Sequence, residues 1–475
     1  MSDAGVAAQS FVDLGTILDQ LREAYRADPQ PDHAVRRAKL DAMLAEVRAR
    51  RDELVSAISA DFGHRSRHES MTFDVLQVVN TLRYVKRNLA AWMAPEPVPL
   101  AMVYQPARAE VVPQPLGVVG VISPWNYPVQ LGLVPLIYAL GAGNRVMLKP
   151  SELSPRSSEV VTGILERAVG TDWVRVVEGD ADVGAQFAAL PFDHLFFTGS
   201  TRVGRLVAQA AAANLTPVTL ELGGKSPVLV HPDFPTRKAA ELIAFGKLAN
   251  AGQTCVGVDY AVVREDQADA LVAELQAVIP EMYATFDDNP DYTAIATQRH
   301  RDRLAALLDD AEQKGATLIE VNPKGEPRFG ESGKVVPVLV RGVTREMRIL
   351  QEEIFGPLLP IVETGSWEAM VDVVNEGERP LSMYVLDRND KRVNRVLRQT
   401  HSGGVAVNEV LIQAGIESLA FGGVGASGMG KYHGRDGFET FSHRKPVVYQ
   451  SRFNLRQLVA PPFGKVMDRL LDWLI

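Results

Sequence analysis

Short apolar runs without polar alternation, at 116–122, 145–148 and 194–197, constrain most strongly what this chain can fold into. A run of this kind predicts a strand that is buried on both faces. Segments with helical spacing separate the runs, at 157–168 and 202–213. Strands that alternate with helices predict a parallel sheet covered by helices, which is the architecture of dinucleotide-binding domains.

A second region of the same α/β class begins near Gly224. Its predicted strands lie at 227–230, 261–263, 335–340 and 360–362, and its predicted helices at 266–278 and 298–314. Residues 12–93 carry apolar residues at three- and four-residue spacings, which predicts a helical region before the first sheet. At about 150 residues per domain, a chain of 475 residues is expected to have two or three domains.

The charge balance argues against two kinds of partner. Lys plus Arg total 50 and Asp plus Glu total 58, so the net charge is −8, and we expect neither nucleic acid nor an anionic membrane surface as a partner. No stretch reaches the ~18 apolar residues that a membrane span needs. The first residues lack a basic segment followed by an apolar one, so we expect no secretory signal and a cytoplasmic location.

Cys255 is the only cysteine, so it cannot form an intramolecular disulfide. One thiol also makes a poor structural metal site, and the nine histidines are scattered, so we expect no metal. Two interpretations of Cys255 remain open at this point: a small buried apolar residue or a catalytic nucleophile. The motifs elsewhere in the chain have to decide between them.

Two polar residues lie where they could serve such a nucleophile. Asn126 is in segment 123–128, where two prolines pin a turn at the carboxyl end of a predicted strand. Glu221 lies in an apolar segment, where desolvation raises the pKa of a carboxyl group toward that of a general base. The alternatives are an ordinary turn asparagine and a buried carboxylate paired with Lys225.

Two further segments have features of a nucleotide site. Lys149 and Glu152 follow the second apolar run and could hold ribose hydroxyls, although an exposed lysine is the commoner case. Between Gly199 and Gly204 a predicted strand enters a helix, whose free N–H groups suit a pyrophosphate. The glycine spacing matches neither the dinucleotide fingerprint nor a P-loop, so this signal is weak by itself.

Taken together, these motifs resemble those of the aldehyde dehydrogenase superfamily, nearly from end to end of the chain. The matching segments are 123–126, 221–225, 252–255 and 352–357. Segment 421–434 resembles the class 3-like branch, and segments 288–293 and 440–447 are most similar to bacterial coniferyl aldehyde dehydrogenases. Two positions depart from the pattern: Ala420 replaces a usual proline, and 257–260 lacks a proline common after the nucleophile.

The resemblance implies an α/β, aldehyde dehydrogenase-like fold. It assigns residues 1–100 and 116–223 to a Rossmann-type NAD(P)-binding domain, and 224–418 to a second α/β catalytic domain that carries the nucleophile. Residues 101–115 and 436–475 form a small β oligomerisation arm and C-terminal tail, with 419–435 returning to the cofactor domain. A homodimer is implied, with 101–113 and 441–450 at its interface.

The resemblance also implies a role for each motif. The thiolate of Cys255 attacks the aldehyde, the amide of Asn126 and the N–H of Cys255 hold the oxyanion, and Glu221 activates the water that hydrolyses the thioester. The implied cofactor is NAD, with NADP as an alternative, because Glu152 repels a 2′-phosphate and Arg156 could offset that repulsion. The implied cofactor contacts are Trp125, Lys149, Glu152, Gly199, Ser200, Val203, Gly204, Glu353 and Phe355.

The implied substrate mouth is apolar and aromatic. It comprises Tyr127, Leu131, Phe245, Thr254 and Val256, together with Phe355, and has no arginine to pair a substrate carboxylate. We therefore expect a small-molecule aldehyde that is aromatic, such as a coniferyl-type aldehyde, or a medium to long aliphatic one. Two alternatives stay open: a CoA-acylating aldehyde dehydrogenase, against which Glu221 argues, and a non-catalytic binding or structural protein on the same scaffold.

Overall fold

The computed structural model describes residues 13–454 and 460–475. The first twelve residues of the predicted cofactor domain and residues 455–459 of the predicted tail lie outside the described part. The helices are α1 (Leu14–Ala27), α2 (His33–Ala49), α3 (Arg51–Phe62), α4 (Arg67–Glu69), α5 (Leu76–Met93), α6 (Gln130–Ala142), α7 (Pro155–Ala168), α8 (Ala181–Ala188), α9 (Thr201–Ala212), α10 (Thr236–Leu248), α11 (Glu265–Met282), α12 (Gln298–Gln313), α13 (Arg348–Gln351), α14 (Trp367–Asn375), α15 (Asp390–Gln399), α16 (Gly434–Thr440) and α17 (Lys465–Leu474). The strands are β1 (Glu96–Val98), β2 (Arg108–Pro115), β3 (Val118–Ile122), β4 (Arg145–Lys149), β5 (Val174–Val176), β6 (His194–Thr198), β7 (Val218–Glu221), β8 (Pro227–Val230), β9 (Tyr260–Arg264), β10 (Thr317–Glu320), β11 (Val338–Arg341), β12 (Leu358–Thr364), β13 (Ser382–Leu386), β14 (Gly404–Val407), β15 (Gly428–Met429) and β16 (Ser442–Tyr449).

The first sheet has six strands in the order β15-β7-β6-β3-β4-β5. All neighbours pair in parallel except β15, which runs antiparallel to β7. Every residue of β4 and β6 is buried, which confirms the apolar runs as strands with two covered faces. The strand order reverses at β3, and in open α/β sheets ligands bind at the carboxyl ends of the strands beside such a reversal.

The second sheet has seven strands in the order β10-β11-β12-β9-β8-β13-β14, parallel except for the β10–β11 pair. The strand predicted at 227–230 is confirmed, and those predicted at 261–263 and 360–362 extend further at both ends. The strand predicted at 335–340 is wrong in its first half, because pairing with β12 starts only at Val338. Pro337 comes just before that position and has no N–H to donate to a neighbouring strand.

The N-terminal helices predicted within 12–93 are present, and their apolar sides share one core with the first sheet. Leu40, Ile58 and Leu82 are fully buried in the same cluster as Val121 and Val146. Helix α6 belongs to this cluster and is buried on every side, which explains why its sequence is apolar all round instead of amphipathic. The start of α6 is thereby fixed beside the carboxyl end of β3.

A third, antiparallel sheet has the order β1-β2-β16. Strands β2 and β16 pair over their whole length, from Ser442 opposite Pro115 to Tyr449 opposite Arg108, and most side chains of β16 are exposed. Helix α17 near the chain end also exposes apolar side chains, among them Val466 and Trp473. Within residues 13–454 and 460–475, no helix combines the length and apolar character that crossing a membrane requires.

Candidate active site

Cys255 follows a tight turn whose backbone is held in an unusual conformation. Asn250 and Ala251, which follow α10 after one intervening residue, have left-handed φ values of 53° and 50°. Gly252 has a φ of 78°, and a Cβ atom there would collide with the carbonyl oxygen of Gly356, so only glycine fits. Strained backbone of this kind persists where surrounding contacts enforce it, and it concentrates at functional sites.

The Cys255 thiol is partly open to a pocket but surrounded by protein on its other sides. Burial, with smaller contributions from the carboxylates of Glu353 and Glu221, raises the pKa of this thiol from 9.0 to about 12. Two acidic residues that are far apart in the sequence therefore lie close to the only thiol. These surroundings favour the thiol form of Cys255 over the thiolate.

The pocket beside Cys255 has a volume of about 480 Å³ and a mainly apolar wall. The structure brings together here all the residues predicted for the substrate mouth other than Phe355, namely Tyr127, Leu131, Phe245, Thr254 and Val256. Sequence reasoning missed the remaining wall, which includes Phe73, Gln77, Val410, Leu411, Ile412, Ile416, Phe421, Tyr432 and His433. The segment 421–434 was available as a signal for the last three, whereas nothing in the sequence pointed to Phe73 or Gln77.

Asn126 is buried in the turn between β3 and α6, facing the loop that carries Cys255. Its Nδ2 atom donates to the carbonyl of Gln253 at 3.2 Å, and its own carbonyl accepts from Nδ2 of Asn250 at 3.1 Å. The next residue extends this link, since the hydroxyl oxygens of Tyr127 and Thr254 lie 2.6 Å apart. The turn after β3 and the cysteine loop are thus joined by several hydrogen bonds.

Glu221 is the last residue of β7 and is 3% exposed. Neither carboxylate oxygen has a hydrogen-bond partner, and desolvation raises its pKa well above the usual 4.5. Lys225 does not pair with it: its ammonium group contacts Asp259 and the carbonyls of Ile349 and Glu352. The alternative interpretation of Glu221 as half of an ion pair with Lys225 is therefore wrong.

The residues predicted for the adenosine side of a cofactor lie at the carboxyl ends of β4 and β6. Lys149 ends β4, and its Nζ lies 3.5 Å from Oε2 of Glu152. Ser200 caps α9, accepting from the N–H of Val203 at 3.4 Å. Thr198, the last residue of β6, has a buried hydroxyl without a hydrogen-bond partner, so this hydroxyl is available to bind a polar ligand.

Gly199 and Gly204 flank the start of α9. A side chain at Gly204 would meet Leu222, and one at Gly199 would meet the ring of Phe197, so the backbone packs closely at this turn. This turn leads into the start of α9, and helix starts are common phosphate-binding sites because their first N–H groups lack partners within the helix.

Glu353 lies across the cleft from that turn. Its Oε1 accepts the N–H of Gly224 at 3.2 Å, and a side chain at Gly223 would collide with the carboxylate. Burial, reinforced by Asp259, raises the pKa of Glu353 to about 8. The pair of glycines after β7 therefore allows a second carboxyl group to reach the neighbourhood of Cys255 and Glu221.

Trp125 and Phe355 contact each other between the two regions predicted to hold cofactor and substrate. Their ring centroids are 5.7 Å apart in an edge-on arrangement, and Trp125 also stacks on His300 at 4.8 Å. Phe355 adopts a left-handed φ of 51°, a conformation that a bulky residue rarely takes. In the part of the chain that the structure describes, no group of three or more His, Cys, Asp or Glu could hold a metal ion.

Comparison with known proteins agrees with this geometry. The model of the aldehyde dehydrogenase family matches residues 4–447. A probable coniferyl aldehyde dehydrogenase from Pseudomonas aeruginosa is 44% identical over 463 residues, which cover 98% of this chain and 96% of that protein. Aldehyde dehydrogenase family 3 member A2 from Macaca fascicularis is 36% identical over 459 residues, covering 96% and 92%, so the resemblance to the class 3 branch is confirmed.

Solved structures give the same result. A substrate-bound Staphylococcus aureus AldH superposes with a TM-score of 0.91 at 32% identity, covering 97% of this chain and 99% of that one. An NAD-dependent aldehyde dehydrogenase from Sinorhizobium meliloti superposes with a TM-score of 0.84 at 29% identity, covering 95% and 88%. These matches confirm the predicted α/β fold. The chain therefore belongs to the aldehyde dehydrogenase family and is an oxidoreductase that acts on aldehydes.

Proposed function

We propose that this enzyme oxidises an apolar, aromatic aldehyde to the carboxylic acid with NAD, through covalent intermediates on Cys255. One observation carries the proposal: the only thiol lies in the wall of an apolar cavity and is close enough to Glu221 for that carboxylate to raise its pKa. A nucleophile, a substrate cavity and an unpartnered base thus occur together. If Cys255 were only a small apolar residue of the core, neither the cavity nor the unpartnered carboxylate beside it would be needed.

The first step is attack of the Cys255 sulfur on the aldehyde carbon. Because the pKa of the thiol is about 12, the thiol proton passes to solvent water on the open side of the cavity as the carbon–sulfur bond forms, and the aldehyde oxygen takes the carbonyl π electrons and becomes an oxyanion. The Nδ2 atom of Asn126 uses one N–H on Gln253 and has a second for this oxyanion. The backbone N–H of Cys255 is the other donor, and each such donor is worth about 3 kcal/mol.

The residues of the cleft fit a nicotinamide dinucleotide. Its adenosine ribose would be held by Lys149 and Glu152, its pyrophosphate by the turn Gly199, Ser200, Val203 and Gly204, and its nicotinamide ribose by Glu353, with Trp125 and Phe355 beside the ring. The partnerless hydroxyl of Thr198 supports a polar ligand there. When bound, the cofactor supplies the two-electron acceptor for the oxidation.

Glu221 completes the reaction by removing a proton from the water that hydrolyses the thioester. Its lack of partners leaves both oxygens available, and desolvation raises its pKa, which makes it a stronger base than an ordinary carboxylate. A CoA-acylating enzyme needs no base at this step, so Glu221 favours hydrolysis to the free acid. The position of this residue at the end of a rigid strand holds it in place.

NAD is the preferred cofactor in this proposal because the Glu152 carboxylate next to Lys149 repels a 2′-phosphate. Aromatic aldehydes of the coniferyl type are the preferred substrates because the cavity is apolar and because relatives at 41–44% identity are named as coniferyl aldehyde dehydrogenases.

The exposed strand β16 supports a homodimer, and the unpaired cysteine suits the reducing cytoplasm.

The three sheets support the proposed domain plan. The six-stranded sheet falls in the proposed cofactor domain, the seven-stranded sheet in the proposed catalytic domain, and β2 with β16 in the proposed arm. Strand β15 lies in the segment proposed to return to the cofactor domain, where it pairs with β7.

The test is to incubate the protein with NAD and coniferyl aldehyde and to quantify NADH and the acid by chromatography. Wild type is expected to form both in equal amounts, whereas Cys255→Ala forms neither while still binding NAD. Adding CoA is expected to give no acyl-CoA. A wild-type protein that oxidises neither aromatic nor long aliphatic aldehydes would contradict the proposal. Formation of acyl-CoA would instead favour the CoA-acylating aldehyde dehydrogenase.

A further inference from the structure

We propose that Arg65 and Asp74 are positioning residues for the oxyanion donor: this buried ion pair fixes the turn that carries Asn126 and so controls the rate of the chemical step without touching substrate. The inference rests on the function proposed above, in which Asn126 holds the oxyanion. Neither residue belongs to a motif by which the chain resembles its family.

The two residues come from the helical N-terminal region. Arg65 lies between α3 and α4, and Asp74 lies in the π-helical stretch Ser70–Val75 that precedes α5. Nη1 of Arg65 is 2.9 Å from Oδ2 of Asp74, and both side chains are 0% exposed. A complete ion pair is therefore buried beside the turn between β3 and α6.

Each member of the pair holds a different end of that turn. Nη1 of Arg65 donates to the carbonyl of Asn126 at 3.1 Å. Oδ1 of Asp74 accepts from the N–H groups of Val129 at 3.2 Å and Gln130 at 3.0 Å, at the start of α6. Because Arg65 and Asp74 are held together as an ion pair, the five-residue turn 126–130 is fixed at its first carbonyl and at its last two amides.

The ion pair is also linked to the nucleophile loop. The carbonyl of Asn126 that accepts from Arg65 accepts from Nδ2 of Asn250 as well, so one oxygen joins the pair to the left-handed turn before Cys255. The guanidinium of Arg65 lies over the ring of Tyr127, 4.7 Å from its centroid, which fixes the residue after Asn126 too. These contacts fix the backbone of Asn126, while its side-chain amide is held by the carbonyl of Gln253.

Stability alone does not account for burying these charges. Nε and Nη2 of Arg65 have no hydrogen-bond partner, so the guanidinium keeps part of its desolvation cost. Replacing a buried ion pair with apolar residues of similar volume is often neutral or stabilising. An apolar pair could neither donate to the carbonyl of Asn126, as Arg65 does, nor accept from the N–H groups of Val129 and Gln130, as Asp74 does.

The decisive variant is Asp74→Asn, which keeps the shape and an oxygen for Val129 and Gln130 but removes the charge that orients Arg65. Since a displacement of about 1 Å at a reacting group can cost about 100-fold in rate, we expect kcat to fall 10- to 100-fold. We expect KM for the aldehyde and the Kd for NAD to change less than twofold. Arg65→Lys is the second variant, and it should likewise lower kcat while changing KM for the aldehyde and the Kd for NAD less than twofold. The inference can therefore still be tested if one of the two variants folds poorly.

A double-mutant comparison separates positioning from general damage. Asn126→Ala is expected to lower kcat by itself, and adding Asp74→Asn to Asn126→Ala is expected to lower kcat no further, because the donor that the pair orients is gone. The matched control is Arg36→Lys. Arg36 is a similarly buried arginine that donates to the carbonyls of Gly141 and Ala142 at the other end of α6. Its substitution should lower Tm with kcat unchanged.

Two results would overturn the inference. One is an unchanged kcat in Asp74→Asn. The other is that Asp74→Asn lowers kcat by the same factor in the wild-type protein and in Asn126→Ala. An unchanged kcat in Asn126→Ala alone would instead remove the proposed oxyanion role first, and the positioning role with it. The single variants therefore show which of the two proposals has failed.

Discussion

The hydroxyl oxygens of Tyr127 and Thr254 lie 2.6 Å apart, in a hydrogen bond between the turn after β3 and the loop that ends in Cys255. Both residues also line the substrate cavity. One hydrogen bond therefore couples the wall of the cavity to the backbone next to the nucleophile. Burial raises the pKa of Tyr127 above its usual value of 10.0, so its hydroxyl stays protonated and can donate.

Tyr127→Phe should loosen this coupling while leaving the ring in place. The loss of one buried hydrogen bond is worth about 1 kcal/mol, so we expect kcat to fall about fivefold with the Kd for NAD unchanged. Steady-state kinetics and cofactor titration measure both. Tyr25→Phe is the control, because its hydroxyl bonds the carbonyl of Pro115 far from the cavity. Equal kcat values for the two variants would contradict the coupling.

Glu221→Gln should separate oxidation from hydrolysis. Removing a general base typically costs 10²- to 10⁴-fold, so we expect a burst of NADH of one equivalent per enzyme followed by very slow turnover. Mass spectrometry of the intact protein should then show an acyl adduct, and the adduct should be missing in Cys255→Ala. A variant that turns over at the wild-type rate without a burst would exclude Glu221 as the base.

The reactivity of Cys255 should follow its raised pKa. With a pKa of about 12, the thiolate fraction of the free enzyme rises about tenfold per pH unit, so alkylation by iodoacetamide should accelerate from pH 7 to 10 without a plateau. Glu353→Gln removes a negative charge that raises this pKa. Because the pKa of Glu353 is itself about 8, the variant should react faster than wild type only above pH 8. Since the chain has one cysteine, mass spectrometry reports this site alone, and a plateau below pH 9 would contradict the assignment.

Glu152→Gln should relax the choice of cofactor. A like-charge repulsion at about 4 Å in water is worth about 1 kcal/mol, so we expect NADP to bind about fivefold more tightly while the Kd for NAD changes little. Fluorescence titration with each cofactor gives the ratio. Glu159→Gln, on the exposed side of α7, is the matched control. If both variants prefer NAD as strongly as wild type, Glu152 does not select the cofactor.

Glu417 should make stability depend on pH. It accepts hydrogen bonds from Thr81 at 2.7 Å and Tyr138 at 3.4 Å, and burial raises its pKa from 4.5 to about 7. The folded protein binds this proton more tightly than the unfolded chain, so the stabilisation is complete below pH 4.5 and is lost as the pH rises through 7. Relative to wild type, Glu417→Gln should therefore gain Tm between pH 5 and 8. A Tm difference that is constant over this range would contradict the assignment.

The sequence was most informative where local patterns decide structure. Strands with two buried faces, such as Pro227–Val230, are continuous apolar runs, and they were predicted within a residue or two. Val174–Val176 and Thr317–Glu320 escaped prediction because they are short and partly exposed, so pairing with a neighbour defines them more than their own composition does. The error at 335–340 has a local cause that was visible in the sequence, namely Pro337.

The site divides in the same way. Cys255, Asn126 and Glu221 belong to local motifs, so the sequence could nominate them. Arg65 and Asp74 lie in a helical region where spacing predicts only which side faces the core. That a cation and an anion from this region meet under the turn of Asn126 is decided by the packing of α3 and α5 against α6, which no local pattern encodes.

Strand β15 has a consequence for how the protein is made. It comes late in the chain, yet it covers the outer edge of β7, the strand that ends in Glu221. During synthesis this edge has unpaired N–H and C=O groups until residues 428–429 have left the ribosome. Open edges of this kind invite association with other chains. Protein truncated before Gly428 should therefore aggregate, and a short peptide spanning β15 offers a way to protect the nascent chain.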